Sequence, residues 1–65
     1  MMIGSMPTYR CFLLDKDGKL SDVSFSDHET DDDAVSWAER RLRTYSDCSH
    51  AELWVDDRIV RMISR

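Results

Sequence analysis

One proline and two glycines in 65 residues leave no Gly-rich phosphate loop, because only Gly4 and Gly18 could bring backbone against a phosphate. Cys11 and Cys48 are too few for a disulfide framework. With no secretory signal they are expected as reduced, partly buried thiols. No apolar run approaches the ~18 residues that a bilayer crossing takes, and Met1 to Met6 lacks the basic and apolar regions of a signal peptide. Basic charge is also short. Nine Lys and Arg against thirteen Asp and Glu give a net charge of −4, which disfavours nucleic acid as a partner. From these absences the chain is expected to be soluble and cytoplasmic.

What is present fits one small domain over residues 7–65, after a flexible N-terminal leader at 1–6 in which Met6-Pro7 offers an internal translation start. A chain of this length buries only about 60% of its unfolded surface, so its core is marginal unless something adds to it. With disulfide and metal poorly supported, oligomerisation is the remaining source of burial.

The segment around which the rest is arranged is Thr30 to Tyr45. Thr30 with Asp33 forms a capping box in its Thr-x-x-acid form, and Asp31 to Asp33 place negative charge at the first-turn amides. Ala34, Val35, Ala38, Leu42 and Tyr45 then recur on one helical face, flanked by Trp37 and Arg41. Ser36, Glu39, Arg40 and Arg43 face water, with Glu39 and Arg43 expected as an i, i+4 pair worth roughly 0.2–0.5 kcal/mol. Ser46-Asp47 ends the helix.

Two strand pairs flank it. Tyr9 to Leu14 and Leu20 to Ser26 are joined by Asp15-Lys16-Asp17-Gly18, with Gly18 in the left-handed position of a type I turn with a bulge. That register sets Asp15 opposite Lys19 and Cys11 opposite Val23. Tyr9, Cys11, Leu13, Val23 and Phe25 then share one face, and Phe12, Leu14 and Leu20 the other. Ser49 to Val55 and Arg58 to Ile63 are joined by Asp56-Asp57. A two-residue turn there sets Val55 opposite Arg58, Trp54 opposite Ile59, Leu53 opposite Val60, Glu52 opposite Arg61 and Ala51 opposite Met62.

The expected fold is α+β: a two-layer ββαββ domain, with a four-stranded, mainly antiparallel sheet and one helix packed on one face. One helix cannot cover both faces. The outer face is expected to expose Phe12, Leu14, Leu20, Trp54 and Ile59, with Ile63 at its margin, a patch larger than soluble monomers tolerate. These residues are the candidate contact set for a homodimer or another protein partner. The alternative is a small regulator that binds nucleic acid or an anionic ligand through Arg40, Arg43, Arg58 and Arg61; no aromatics lie between these arginines to stack on bases.

The chemical motifs fall short of their templates. Asp15-x-Asp17-Gly18 matches the middle of an EF-hand loop, but Leu13 and Ser24 occupy the first and last ligand positions. Asp27-His28-Glu29 with Asp31 to Asp33 is an acidic run without the geometry of a metal site. Cys48-Ser49-His50 has neither a zinc-site spacing nor an oriented nucleophile and base. The expectation is a non-enzymatic protein with no catalytic, metal or cofactor site.

Met6-Pro7-x-Tyr9-Arg10, Asp15-x-Asp17-Gly18, the acidic helix start, Glu52-Leu53-Trp54 and Arg58-x-Val60 together resemble a group of short ββαββ proteins of rhizobial-type bacteria with no assigned activity. The resemblance spans Met6 onward. It implies a compact ββαββ domain in a bacterial cytoplasm and carries no functional residue with it.

Overall fold

A computed structural model describes residues 6–65, with elements β1 (Thr8–Asp15), β2 (Leu20–Asp27), α1 (Asp31–Thr44), β3 (Cys48–Val55) and β4 (Arg58–Ser64). The expected leader, Met6 apart, lies outside the described residues. The chain is ββαββ, and its strands form one antiparallel sheet in the order β2-β1-β3-β4. Each hairpin contributes an inner and an edge strand, and the two hairpins join through β1 and β3.

The helix begins where its cap dictates. Thr30 is extended, and its hydroxyl accepts the Asp33 amide at 3.1 Å. Ala34, Val35, Ala38 and Leu42 are buried against the sheet as expected. Tyr45 departs from the expected stripe. It is the non-helical C-cap, and its exposed ring lies against Arg41, whose guanidinium carbon is 5.2 Å from the ring centre. The other end of that last turn is held by Arg65, whose guanidinium donates to the carbonyls of Leu42, Tyr45 (2.8 Å) and Cys48 (2.6 Å). Leu42 and Tyr45 lie at the helix C-terminus, where a cation is favoured by the last carbonyls and the dipole, and Cys48 opens β3, so the guanidinium ties the two elements together.

The first turn follows expectation. Gly18 has φ +81°, its amide donates to the Asp15 carbonyl, and the Asp15 amide donates to the Lys19 carbonyl. Beyond it, one residue changes the strand pairing. Leu14 pairs with Leu20 but Leu13 with Asp22, so Ser21 is bulged out and Cys11 faces Ser24 rather than Val23. Val23 and Phe25 therefore lie on the outer face, opposite Phe12 and Arg10. A second bulge sits in β4. Val55–Arg58 and Trp54–Ile59 pair as expected, but Leu53 then pairs with Arg61, Glu52 with Met62 and Ala51 with Ile63. The expected Leu53–Val60, Glu52–Arg61 and Ala51–Met62 pairs do not form. Met62 moves to the outer face, and Ile63 turns into the core.

The footprint of the helix accounts for both bulges. Packed over β1, β3 and β4, it leaves the helix side of β2 without an apolar cover. The bulge assigns that side to Asp22, Ser24 and Ser26 while keeping Leu20 and Val23, an odd number of residues apart, together on the outer face. In β4 the same device brings both Val60 and Ile63 to the helix, although a regular strand would send them to opposite faces. The core consists of Tyr9, Cys11, Leu13, Ala34, Val35, Ala38, Leu42, Cys48, Ala51, Leu53, Val55 and Ile63.

Ion pairs also differ from expectation. Among the described residues they are Arg41–Asp22 at 2.7 Å and Arg58–Asp31 at 3.3 Å, not Glu39–Arg43. Arg41 crosses from the helix to the helix side of β2, where Asp22 supplies the charge opposite Leu13 at the position that the expected register gives to Ser21.

Candidate functional site

Three rows of side chains cross the sheet on the face turned away from the helix and hold the apolar surface. Phe25, Arg10, Trp54 and Ile59 form one row; Val23, Phe12, Glu52 and Met62 the next; Leu20, Leu14 and His50 the third. Phe12, Leu14 and Trp54 on the inner strands are half-buried by their neighbours. Toward the edges exposure is high: Phe25 is 64% accessible, Met62 62% and Leu20 58%. Each expected contact residue, Phe12, Leu14, Leu20, Trp54 and Ile59, lies on this face. The two bulges add Val23, Phe25 and Met62 and remove Ile63.

At its centre is an open concavity of about 570 Å³ bounded by Phe12, Leu14, Leu20 and Trp54, with Arg10, Glu52, Asp56 and Asp57 at its polar margin. Arg10 donates to the Asp56 carbonyl, and its guanidinium carbon lies 6.0 Å from the centre of the Phe12 ring. The Trp54 indole donates to Glu52 Oε1 at 3.1 Å. The polar groups of this face thus hold the aromatics in place and keep spare donors and acceptors for a further contact. Arg10 has four remaining N–H groups and Glu52 a second oxygen.

The other sequence candidates are dispersed or already engaged. Arg58 stands at the helix N-terminus, bonded to Asp31, whereas Arg43 is in the last helical turn, about 18 Å further along at 1.5 Å per residue. Arg40 and Arg43 are exposed on the helix, and Arg61 lies on the edge strand. The acidic run is divided among structural tasks. Asp27 accepts the Thr8 hydroxyl at 2.6 Å, and Asp31 the buried Tyr9 hydroxyl at 2.6 Å. The Tyr9 and Arg58 hydrogen bonds hold the Asp31 carboxyl below its ordinary value, and the same bond to Asp31, then burial, raises the Tyr9 hydroxyl. His28 packs between Tyr9 and Trp37, with ring centres 5.8 and 5.1 Å away. In the first turn, Asp15 Oδ1 accepts the amides of Asp17 and Lys19 and so closes the turn.

Both cysteines are free and buried, with Cys48 2% accessible. Burial pushes the Cys11 thiol up to about 11, and a thiol so protonated is a poor nucleophile at neutral pH. No described helix is long and apolar enough to cross a membrane. Comparison with known proteins adds no relative: no protein-family model, curated protein or solved structure matches the chain.

Proposed function

We propose that this chain is a non-enzymatic protein-interaction domain that associates with itself through the outer face of its sheet. The supporting observation is the contiguous apolar surface over all four strands, which no element of the described chain covers. Water is expelled when two such faces meet, at roughly 25 cal/mol per Å² of apolar area. Phe12 and Trp54, half-buried and central, have the size and position of interface anchors. A domain of this length also gains from association the burial that its own core supplies sparingly. The reading includes a bacterial cytoplasmic setting, which suits two free thiols. The arginine alternative has less support, since Arg58 is committed to Asp31 and distant from Arg43.

Solution mass by light scattering, across a hundredfold range of concentration and at low and high salt, tests the proposal. A dimer that persists at high salt is expected, and a Phe12→Ser/Trp54→Ser variant should be monomeric with unchanged circular dichroism. A wild-type monomer throughout, or a folded variant that keeps the dimer mass, overturns it.

A further inference from the structure

If two copies meet through this face, its charge pattern selects how. On the inner strands the outer face presents a two-by-two block, with Arg10 opposite Trp54 and Phe12 opposite Glu52. The charged residues occupy one diagonal of the block and the aromatic residues the other. In a symmetric dimer of stacked sheets, the twofold axis runs between the sheets and parallel to them, and each patch meets the same patch of the other copy.

An axis along the strands lays Phe12 on Glu52. An axis across the strands lays Trp54 on Glu52 and Arg10 on Phe12. The charge diagonal stacks Arg10 on Arg10 and Glu52 on Glu52, and such like-charge contacts cost several kcal/mol. The aromatic diagonal alone places Phe12 on Phe12, Trp54 on Trp54, and Arg10 of each copy against Glu52 of the other.

We propose that the partner is a second copy crossed over the first about this aromatic diagonal, with two reciprocal Arg10–Glu52 ion pairs fixing its orientation. The inference rests on the self-association proposed above and adds its geometry. Strands about 4.8 Å apart and alternate residues about 6.7 Å apart along a strand set the diagonal ~35° from the strand direction. The strands of the two copies therefore cross at ~70°, nearer the orthogonal than the aligned class of sheet packing. The same operation brings Phe25 over Met62 and Leu14 over Val23 of the second copy, further apolar contacts beside the aromatic diagonal. The spare N–H groups of Arg10 and the free oxygen of Glu52 supply the reciprocal bonds.

Charge reversal tests this geometry. Arg10→Glu alone sets carboxylate against carboxylate in both reciprocal contacts, and Glu52→Arg alone sets guanidinium against guanidinium. Each variant should therefore dimerise at least tenfold more weakly, a loss in the range of like-charge contacts. An equimolar mixture of the two variants should recover a dimer containing one copy of each, and the doubly reversed chain should recover a homodimer. Native mass spectrometry reads both species directly. If the wild type dimerises and Phe12→Ser/Trp54→Ser abolishes the dimer, but single reversals leave it intact or the mixture stays monomeric, the crossed geometry is wrong while the face remains the interface. A monomeric wild type removes both.

Discussion

Asp56 carries φ +53°, a left-handed conformation that L side chains adopt at a cost and glycine adopts freely. Asp56→Gly should therefore raise stability by about 0.5–1 kcal/mol, and Asp56→Val should lower it by at least as much; urea midpoints of the two variants check both signs. The Asp56-Asp57 turn was readable from its place between two apolar runs, whereas the strain was not, because Asp-Asp lacks the glycine that announces such a backbone.

A second single-residue consequence comes from Tyr9 and Asp31. Asp31 is held below its ordinary value of 3.8 by hydrogen bonds from Tyr9 and then Arg58, so its stabilisation is present above the unfolded value and lost as pH falls through the folded one. Tyr9 is raised above 10.0, so its share is present below that pH and lost as pH rises beyond it. Tyr9→Phe should be less stable than wild type near pH 7, with the gap narrowing as pH falls below the ordinary carboxylate value and Asp31 becomes protonated. A gap independent of pH would mean that the contribution of the Tyr9 hydroxyl does not depend on the charge of Asp31. The acidic run was legible as a helix start; that one of its members binds a tyrosine across the fold was not, since nothing local pairs residues so far apart in the chain.

At the scale of elements, the helix and all four strands were legible because capping and periodicity are local. Register was not, because two bulges depend on which strands the helix covers. Leu20-x-x-Val23 and Val60-x-x-Ile63 break a two-residue alternation, and each break looks local yet answers to packing elsewhere. The candidate face was recovered despite the slip, since Phe12, Leu14, Trp54 and Ile59 precede or avoid the bulges, while Val23, Phe25 and Met62 were missed because they follow them. The helix C-terminus carries a further consequence. Arg65 holds the carbonyls of Leu42, Tyr45 and Cys48, and Lys cannot reproduce that fork of planar donors. Arg65→Lys should cost about 1 kcal/mol or more, with amide exchange rising at the last helical turn and the start of β3. Exchange raised evenly over the sheet instead would assign Arg65 no local role.

For the molecule as a whole, the proposed pairing would divide the two faces of the sheet between stability and association. The helix-side core is closed within one chain, with Leu13, Ala38, Ala51 and Leu53 fully inaccessible, so Leu53→Ala should destabilise by about 2–5 kcal/mol whether or not the chain is paired. On the proposed self-association the outer face would act through mass action: when only the paired folded state uses it, the unfolding midpoint rises with protein concentration. Thermal melts over a hundredfold range should therefore move upward with concentration for the wild type and for Leu53→Ala alike. The Phe12→Ser/Trp54→Ser variant should melt at one temperature at every concentration, because its core is intact and its contact surface is not. A concentration-independent melt of the wild type would place all of its stability in the helix-side core and leave the outer face without a thermodynamic role.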